Sequence, residues 1–145
     1  MSYNALAGGM LTGKYMDRPA ALDNDERSKV IEAMKNPRGR MDDFGWGQTL
    51  YRYRTEAAKE AISDYAKIAK DAGIPLTELS LRWCRQRPLI TTTLVGHSNL
   101  EQLQQSIEYF TKSEPLSDKI MWEIDVSLTF FIKAEKVVSY ISHKF

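Results

Sequence analysis

Two short apolar stretches, one around Tyr3 and one around Thr93, are the strand candidates in a chain whose pattern is otherwise mostly helical. Helices lie between them, which predicts parallel strands joined by crossovers, the arrangement of an α/β protein. A parallel sheet needs several strands and cover on both faces, so two strands do not close a core. The sequence therefore predicts a helix-rich part of a larger sheet, incomplete as a fold.

Helical periodicity dominates the chain after residue 55. Apolar residues at helical spacing predict a helix from Thr55 to Ala72, with Gly73 as its stop. A second helix opens at Pro75 and ends before Pro88. Residues 16–53 lack such a pattern, apart from a capping box at Asp23 and Glu26 that opens a short helix through residue 35. We interpret them mainly as a lid or binding loop.

The third helix follows a short β-rich run. Residues 89–95 predict a buried strand that ends at Gly96, after which Ser98 or Asn99 caps the helix. A last helix begins near Pro115. The apolar face of the third helix comprises Leu100, Leu103, Ile107 and Phe110.

Composition excludes several classes of protein. Twenty basic and nineteen acidic residues give a formal charge of +1 without a basic block, which argues against nucleic-acid binding. The two histidines are too few and too far apart to suggest a metal site. The single cysteine, Cys84, lies in an apolar helical pattern and is interpreted as a buried core thiol.

Neither a transmembrane segment nor a targeting peptide is visible in the sequence. Every apolar run is shorter than the roughly 20 residues that span a bilayer. The N-terminus lacks a cationic region followed by an apolar core. We therefore expect a cytoplasmic or organelle-stromal location.

Two glycine turns carry the chemistry that the sequence suggests. In residues 3–15 a strand end enters a glycine-rich turn, where backbone N–H groups and Lys14 suit a phosphate, although taken alone a plain tight turn explains the glycines better. In residues 93–103 a strand, Gly96 and a helix N-terminus follow one another, which favours an anion unless Ser98 merely caps the helix. Ligands of α/β barrels lie at the C-terminal ends of strands, where both turns lie.

These segments resemble one enzyme family. Residues 4–15, Asn-Ala-Leu-Ala-Gly-Gly-Met-Leu-Thr-Gly-Lys-Tyr, are similar to the segment after the seventh barrel strand of aldo-keto reductases. Residues 94–103 resemble the eighth strand and the start of the last barrel helix, and the two intervening helices match in order and spacing. The likeness covers residues 3 to about 126 and is strongest to the branch with bacterial aldo-keto reductases and potassium-channel beta subunits.

The resemblance implies the C-terminal part of a (β/α)8 TIM barrel, with the last two strands and the helices that follow. It also implies NADP(H) as cofactor. The first turn would wrap the pyrophosphate, and an arginine from the long loop would help to hold the cofactor. The turn and helix after strand eight would hold the adenosine end. The residues at the corresponding positions are Asn4, Leu6, Ala7, Gly9, Lys14, Arg40, Gly96, Ser98, Gln102 and Gln105. Gln105 also fits a solvated helix face.

Departures from the family pattern limit these expectations. Ala5 replaces the usual proline, and Ser106 stands where an adenine-contacting asparagine is usual. The family's catalytic Asp, Tyr, Lys and His lie in the N-terminal half of the barrel, so we name no catalytic residue here. Residues 1–126 are expected to form the partial barrel and residues 127–145 a divergent apolar tail, a docking segment or one that packs on this chain.

Two functions are consistent with this pattern. The chain is either the NADP(H)-binding half of a carbonyl-reducing oxidoreductase, or a catalytically inactive structural or regulatory subunit of a larger complex. The partner is the missing N-terminal half of the barrel in the first case and another protein subunit in the second.

Overall fold

The computed structural model describes residues 1–17, 37–43, 50, 53 and 55–129. Helices dominate this part of the chain, in agreement with the predicted helix-rich fold. They are α1, Glu56–Asp71; α2, Leu76–Gln86; α3, Leu100–Thr111; and α4, helical over residues 118–129. A 3-10 stretch near the N-terminus, η1, spans Ala7–Thr12. The capping box at Asp23 and Glu26 and the tail beyond residue 129 lie outside the described residues.

The first two helices begin and end where the sequence predicts. The Thr55 side chain accepts a hydrogen bond from the Ala58 N–H at 3.1 Å and caps α1. After α1 the chain turns at Gly73, whose φ of 68° is the left-handed conformation that glycine adopts readily. Pro75 is the N-cap of α2, where a missing N–H costs nothing.

The third helix is capped by Asn99 and not by Ser98. The Asn99 side chain accepts from the Gln102 backbone N–H at 2.9 Å, while the Gln102 side-chain Oε1 accepts from the Ser98 N–H at 3.0 Å. The bond to Asn99 satisfies an N–H group that a helix start leaves without an intrahelical partner, and the bond to Gln102 ties the residue before the cap to the helix. The alternative in which Ser98 caps the helix is therefore wrong.

The two strand candidates meet as parallel segments, but only over a single bridge. Ser2 pairs with Thr93, with the Ser2 N–H donating to Thr92 O at 2.7 Å and the Leu94 N–H donating to Ser2 O at 2.9 Å. Within the described residues neither segment extends into a longer strand. The direction of pairing is as predicted.

The prediction that residues 89–95 form a buried strand is wrong for this chain. Leu89 is 92% exposed and Leu94 49% exposed. Among the described residues, the one bridge to Ser2 is the strand pairing of this run, and most of its apolar side chains remain at the surface.

The buried side chains form two clusters that share one residue. The first joins η1 to α1 and comprises Met10, Tyr15, Met41, Leu50 and Ile62; the second joins α1, α2 and α4 and comprises Ala69, Leu79, Leu116 and Ile124. Leu76, at the start of α2, packs against both. The predicted core thiol, Cys84, is also buried on α2, and this burial raises the pKa of the thiol.

Polar side chains of α2 fix the connection between α3 and α4. Glu78 is 2% exposed, and its carboxylate accepts from Arg82 at 2.7 Å and from Lys112 at 2.9 Å. Gln86 donates to Leu116 O at 3.1 Å and accepts from its N–H at 2.7 Å. The connection is thereby held along the length of α2.

Candidate functional site

The glycine turn at η1 is a tight path stabilised from within the chain. Gly8 and Gly9 have φ values of 66° and 97°, a region that side chains with a Cβ adopt only at a cost. Asn4 accepts from the Gly8 N–H at 2.8 Å and donates to the Tyr53 hydroxyl at 2.9 Å. Asn4 therefore shapes the turn with both polar atoms of its side chain.

The backbone amides of this turn are largely occupied. The Gly9 N–H donates to Leu6 O at 2.8 Å, and the Ala7 N–H donates to Asn4 O at 2.8 Å. The expectation that successive N–H groups face an anion is therefore wrong for Ala7, Gly8 and Gly9. An anion at this turn would therefore have to be held by a side chain.

Lys14 provides that side chain. A Cβ at Gly9 would lie 3.5 Å from Lys14 Nζ, and a Cβ at Gly39 would lie 2.6 Å from it, so the ammonium group occupies space that two glycines leave open. Its Nζ is also 5.0 Å from the centroid of the Tyr15 ring. Partial burial lowers the pKa of Lys14, an effect that the nearby carboxylate of Asp42 opposes.

Residues 37–43 dock beside Lys14 through contacts distant in sequence. Arg38 donates to Lys14 O at 3.0 Å and pairs with Asp17 at 2.6 Å. The Met41 N–H donates to the buried Tyr15 hydroxyl at 3.3 Å. This segment thereby holds Arg40 between the two glycine turns.

Arg40 connects the first turn to the second. Its Nη2 lies 3.5 Å from the position that a Cβ at Gly96 would occupy. The structure thus brings together four predicted site residues, Gly9, Lys14, Arg40 and Gly96, from three separate segments. Two cations beside open glycine backbone are a donor set suited to phosphates.

The start of α3 adjoins this group of residues. Ser98 and Gln102 are tied to each other by the capping bond, which orients the first turn of the helix. Gln105 is exposed further along α3, consistent with its alternative as a solvated position. Leu6 is half-buried within the η1 turn.

Sequence reasoning missed the residues that position Lys14 and Arg40. Gly39 leaves room for the lysine, Tyr15 receives the Met41 N–H, and buried Asp42 accepts from the Arg38 N–H at 2.9 Å. Tyr15 follows Lys14 directly, but nothing in the sequence places residues 37–43 against it. In the described ranges, no cluster of three or more His, Cys, Asp or Glu side chains is arranged to hold a metal ion.

Comparison with known proteins relates this geometry to a family. The sequence model of the aldo/keto reductase family matches residues 1–128. An aldo-keto reductase of Babesia bovis is 30% identical over 126 residues, covering 86% of this chain and 39% of that protein. Aflatoxin B1 aldehyde reductase member 2 of Rattus norvegicus is 33% identical over 130 residues, covering 83% of this chain and 32% of the relative.

A third relative carries a different kind of name. A Schizosaccharomyces pombe protein named as a putative voltage-gated potassium channel subunit beta is 25% identical over 128 residues. The match covers 88% of this chain and 33% of the length of the relative. The helices, the parallel bridge and the two glycine turns thus occur in a sequence related to oxidoreductases. The chain belongs to the aldo/keto reductase family.

Membership in this family implies a (β/α)8 barrel as the complete fold. The chain spans about a third of the length of these relatives, with shares of 39%, 32% and 33%. In the described ranges, each helix is too short or too polar to cross a membrane.

Proposed function

We propose that this chain is the NADP(H)-binding part of an aldo/keto reductase-type carbonyl reductase, with the catalytic side chains contributed from outside it. The observation that carries the proposal is the placement of Lys14 beside Gly9 and Gly39 and of Arg40, the residue after Gly39, beside Gly96. Cations beside backbone without Cβ atoms suit the closely spaced phosphates of a dinucleotide. The family to which the chain belongs generally uses this cofactor.

The side chains beside the two glycine turns suit the phosphate groups of this cofactor. Lys14 would neutralise the pyrophosphate beside the η1 turn, and Arg40 would hold phosphate oxygens on the side of Gly96. Asn4 acts indirectly, since both polar atoms of its side chain shape the turn. The bound cofactor supplies a hydride, and these residues fix where its reactive end lies relative to a carbonyl substrate.

The proposed partner is the remainder of a barrel. On α3, Leu100 is 66% exposed and Ile107 54% exposed, and they share one face of the helix. Next to the bridge, Tyr3 and Leu94 are exposed as well. Strands packed on these surfaces would bury them and would bring the catalytic groups to the strand ends where Lys14 and Arg40 lie.

Nucleotide titration of the 145-residue chain tests the cofactor site. We expect Lys14→Ala and Arg40→Ala each to weaken NADPH binding by about tenfold, because each removes a charge-assisted hydrogen bond worth roughly 1.5 kcal/mol. Lys67→Ala, on the exposed side of α1, removes the same charge as a control. Equal affinity of all three variants and the wild type, or no binding at millimolar NADPH, would contradict the proposal.

A second candidate is an inactive structural or regulatory subunit. The exposed apolar face of α3 favours a protein partner, and one relative is named for a channel beta subunit. Assay of NADPH oxidation by an aldehyde, with the chain assembled with its native partner, separates the two. Turnover supports the reductase, whereas an assembly that binds NADPH without turnover supports the subunit.

A further inference from the structure

We infer that Tyr15 is a positioning residue for the proposed phosphate site, and that the contribution of Arg40 to cofactor binding depends on the buried Tyr15 hydroxyl. The inference rests on the proposed function and adds to it a residue that does not touch the cofactor. It follows from the way in which this one side chain lies against two separate segments of the site, the η1 turn and residues 37–43.

The Tyr15 side chain is almost fully buried between these two segments, at 2% exposure. Its ring atom Cε2 lies 3.2 Å from the position that a Cβ at Gly9 would occupy. Its hydroxyl lies 2.5 Å from the corresponding position at Gly39 and accepts from the Met41 N–H at 3.3 Å. The hydroxyl therefore lies against the backbone on both sides of Arg40. Because interiors are close-packed, a buried ring of this size moves little.

Residues 38–42 form a turn that is closed by its own hydrogen bonds. The Asp42 N–H donates to Gly39 O at 3.0 Å, and the Arg38 N–H donates to the Asp42 carboxylate at 2.9 Å. Because these bonds tie both ends of the turn together, it moves as a unit. A shift at any point where the turn contacts the rest of the chain therefore displaces the backbone of Arg40.

Two kinds of polar contact attach this turn to the rest of the chain. Arg38 donates to Lys14 O and pairs with Asp17, but both contacts are exposed to solvent, where ion pairs contribute little. The bond from the Met41 N–H to the Tyr15 hydroxyl is buried, where the loss of a hydrogen-bonding partner costs more. The Tyr15 hydroxyl is therefore the stronger polar anchor.

Arg40 depends on this anchor more than Lys14 does. The Arg40 side chain is long and exposed, so its position beside Gly96 is set by where its backbone is held. A guanidinium that is held in place before binding loses less conformational freedom when a phosphate binds. Lys14 Nζ lies over the Tyr15 ring, 5.0 Å from its centroid, and the ring does not need the hydroxyl for this contact.

NADPH titration of the 145-residue chain tests this dependence with a double-mutant cycle. We expect Tyr15→Phe, which keeps the ring, to weaken binding by about fivefold, as for one lost hydrogen bond. In that background we expect Arg40→Ala to cost less than about threefold, against about tenfold in the wild type, while Lys14→Ala keeps its full cost. Tyr65→Phe, at a half-buried tyrosine of α1, is the matched control and leaves the affinity unchanged.

Hydrogen exchange provides a readout that is independent of the cofactor. We expect exchange of the Met41 amide, followed by NMR, to accelerate by about tenfold in Tyr15→Phe and to stay unchanged in Tyr65→Phe. Gly39→Ala tests the same contact from the opposite side, because its Cβ would lie 2.5 Å from the hydroxyl. We expect it to accelerate Met41 exchange, and to weaken NADPH binding more in the wild-type background than in Tyr15→Phe.

The outcomes separate the inference from the proposed function. An equal cost of Arg40→Ala in both backgrounds, or unchanged Met41 exchange in Tyr15→Phe, overturns the inference and leaves the proposed cofactor site intact. If Tyr15→Phe does not fold, unchanged Met41 exchange in Gly39→Ala overturns it. Failure of the wild type to bind NADPH at millimolar concentration overturns the proposed function together with the inference.

Discussion

In the proposed site, the surroundings of Lys14 determine how readily its side chain carries the charge that an anion requires. The ammonium group is partly desolvated beside Tyr15 and next to Gly39, and this burial lowers its pKa from the ordinary lysine value. A bound phosphate would favour the charged form and raise the pKa again. Protonation of Lys14 and phosphate binding are therefore coupled.

This coupling predicts a pH dependence of binding. Loss of the Lys14 proton removes a charge that attracts phosphate, so affinity for NADPH falls as pH rises through the pKa that Lys14 has in the free chain. Because that pKa is lowered, the fall begins at a lower pH than for a fully exposed lysine. Calorimetry from pH 7 to 10 measures it.

Lys14→Arg is the matched variant for this experiment, since arginine stays charged throughout the range. We expect it to keep its affinity up to pH 10. A parallel decline in both proteins would assign the effect to another group.

At the residue scale the sequence predicts which residues come together better than it predicts what each side chain contacts. Lys14, Arg40 and Gly96 were predicted and are brought together, because each lies in a motif whose order along the chain can be compared with the family pattern. Asn4 was predicted as a cofactor contact, but its side chain bonds to Gly8 and Tyr53. The Tyr53 bond spans 49 residues, and no local pattern indicates such a contact.

Among the elements, α2 determines how the helices fit together. Its Glu78 carboxylate is buried between Arg82, one turn further on, and Lys112, at the end of α3. Arg82 also donates to Glu114 O at 2.7 Å. One helix thus holds the connection that orients both α3 and α4.

Loss of the buried carboxylate and loss of Lys112 are expected to lower stability by different amounts. Glu78→Ala leaves Arg82 buried without its counter-charge, and we expect it to lower the free energy of unfolding by about 3 kcal/mol. Lys112→Ala leaves the Arg82 pair intact, and the Lys112 side chain is 39% exposed, so we expect a loss below about 1 kcal/mol.

Urea denaturation of the full chain, followed by circular dichroism, compares the two variants. Equal losses of unfolding free energy in the two variants would contradict this ranking, because the buried carboxylate would then depend strongly on Lys112.

Helices were predictable here because their signals are local. Thr55, Asn99 and Gly73 act within a few residues of themselves, and each behaves at its helix end as the sequence suggests. Burial of residues 89–95 was not predictable, because a strand is buried by neighbours that lie elsewhere in sequence. Within the described residues that neighbour is Ser2 alone, through one bridge.

For the whole molecule, the uncovered apolar surface is the main feature. Leu100, Leu103 and Ile107 are exposed on α3, and Leu94 and Val95 are exposed nearby in sequence. Several large apolar side chains exposed on one helix are typical of a surface that packs against a partner. It agrees with the short share of its relatives that the chain covers.

This surface predicts concentration-dependent association when the chain is purified without a partner. We expect Leu100→Gln with Ile107→Gln to shift sedimentation towards the monomer and to reduce binding of a hydrophobic dye, because both changes remove exposed apolar area. The matched control is Glu101→Gln with Glu108→Gln, which alters polar positions of the same helix. Equal association of the two double variants would indicate that another surface of the chain causes the association.

The docking of residues 37–43 on Tyr15 and Lys14 has a consequence for divergence among homologues. Arg40 reaches Gly96 because Arg38 and Met41 anchor its own segment, so its place depends on those anchors and not on how many residues lie between positions 17 and 37. Doubling the length of a loop costs only about 0.6 kcal/mol in closure entropy. Insertions and deletions can therefore accumulate between these anchors while the guanidinium keeps its position.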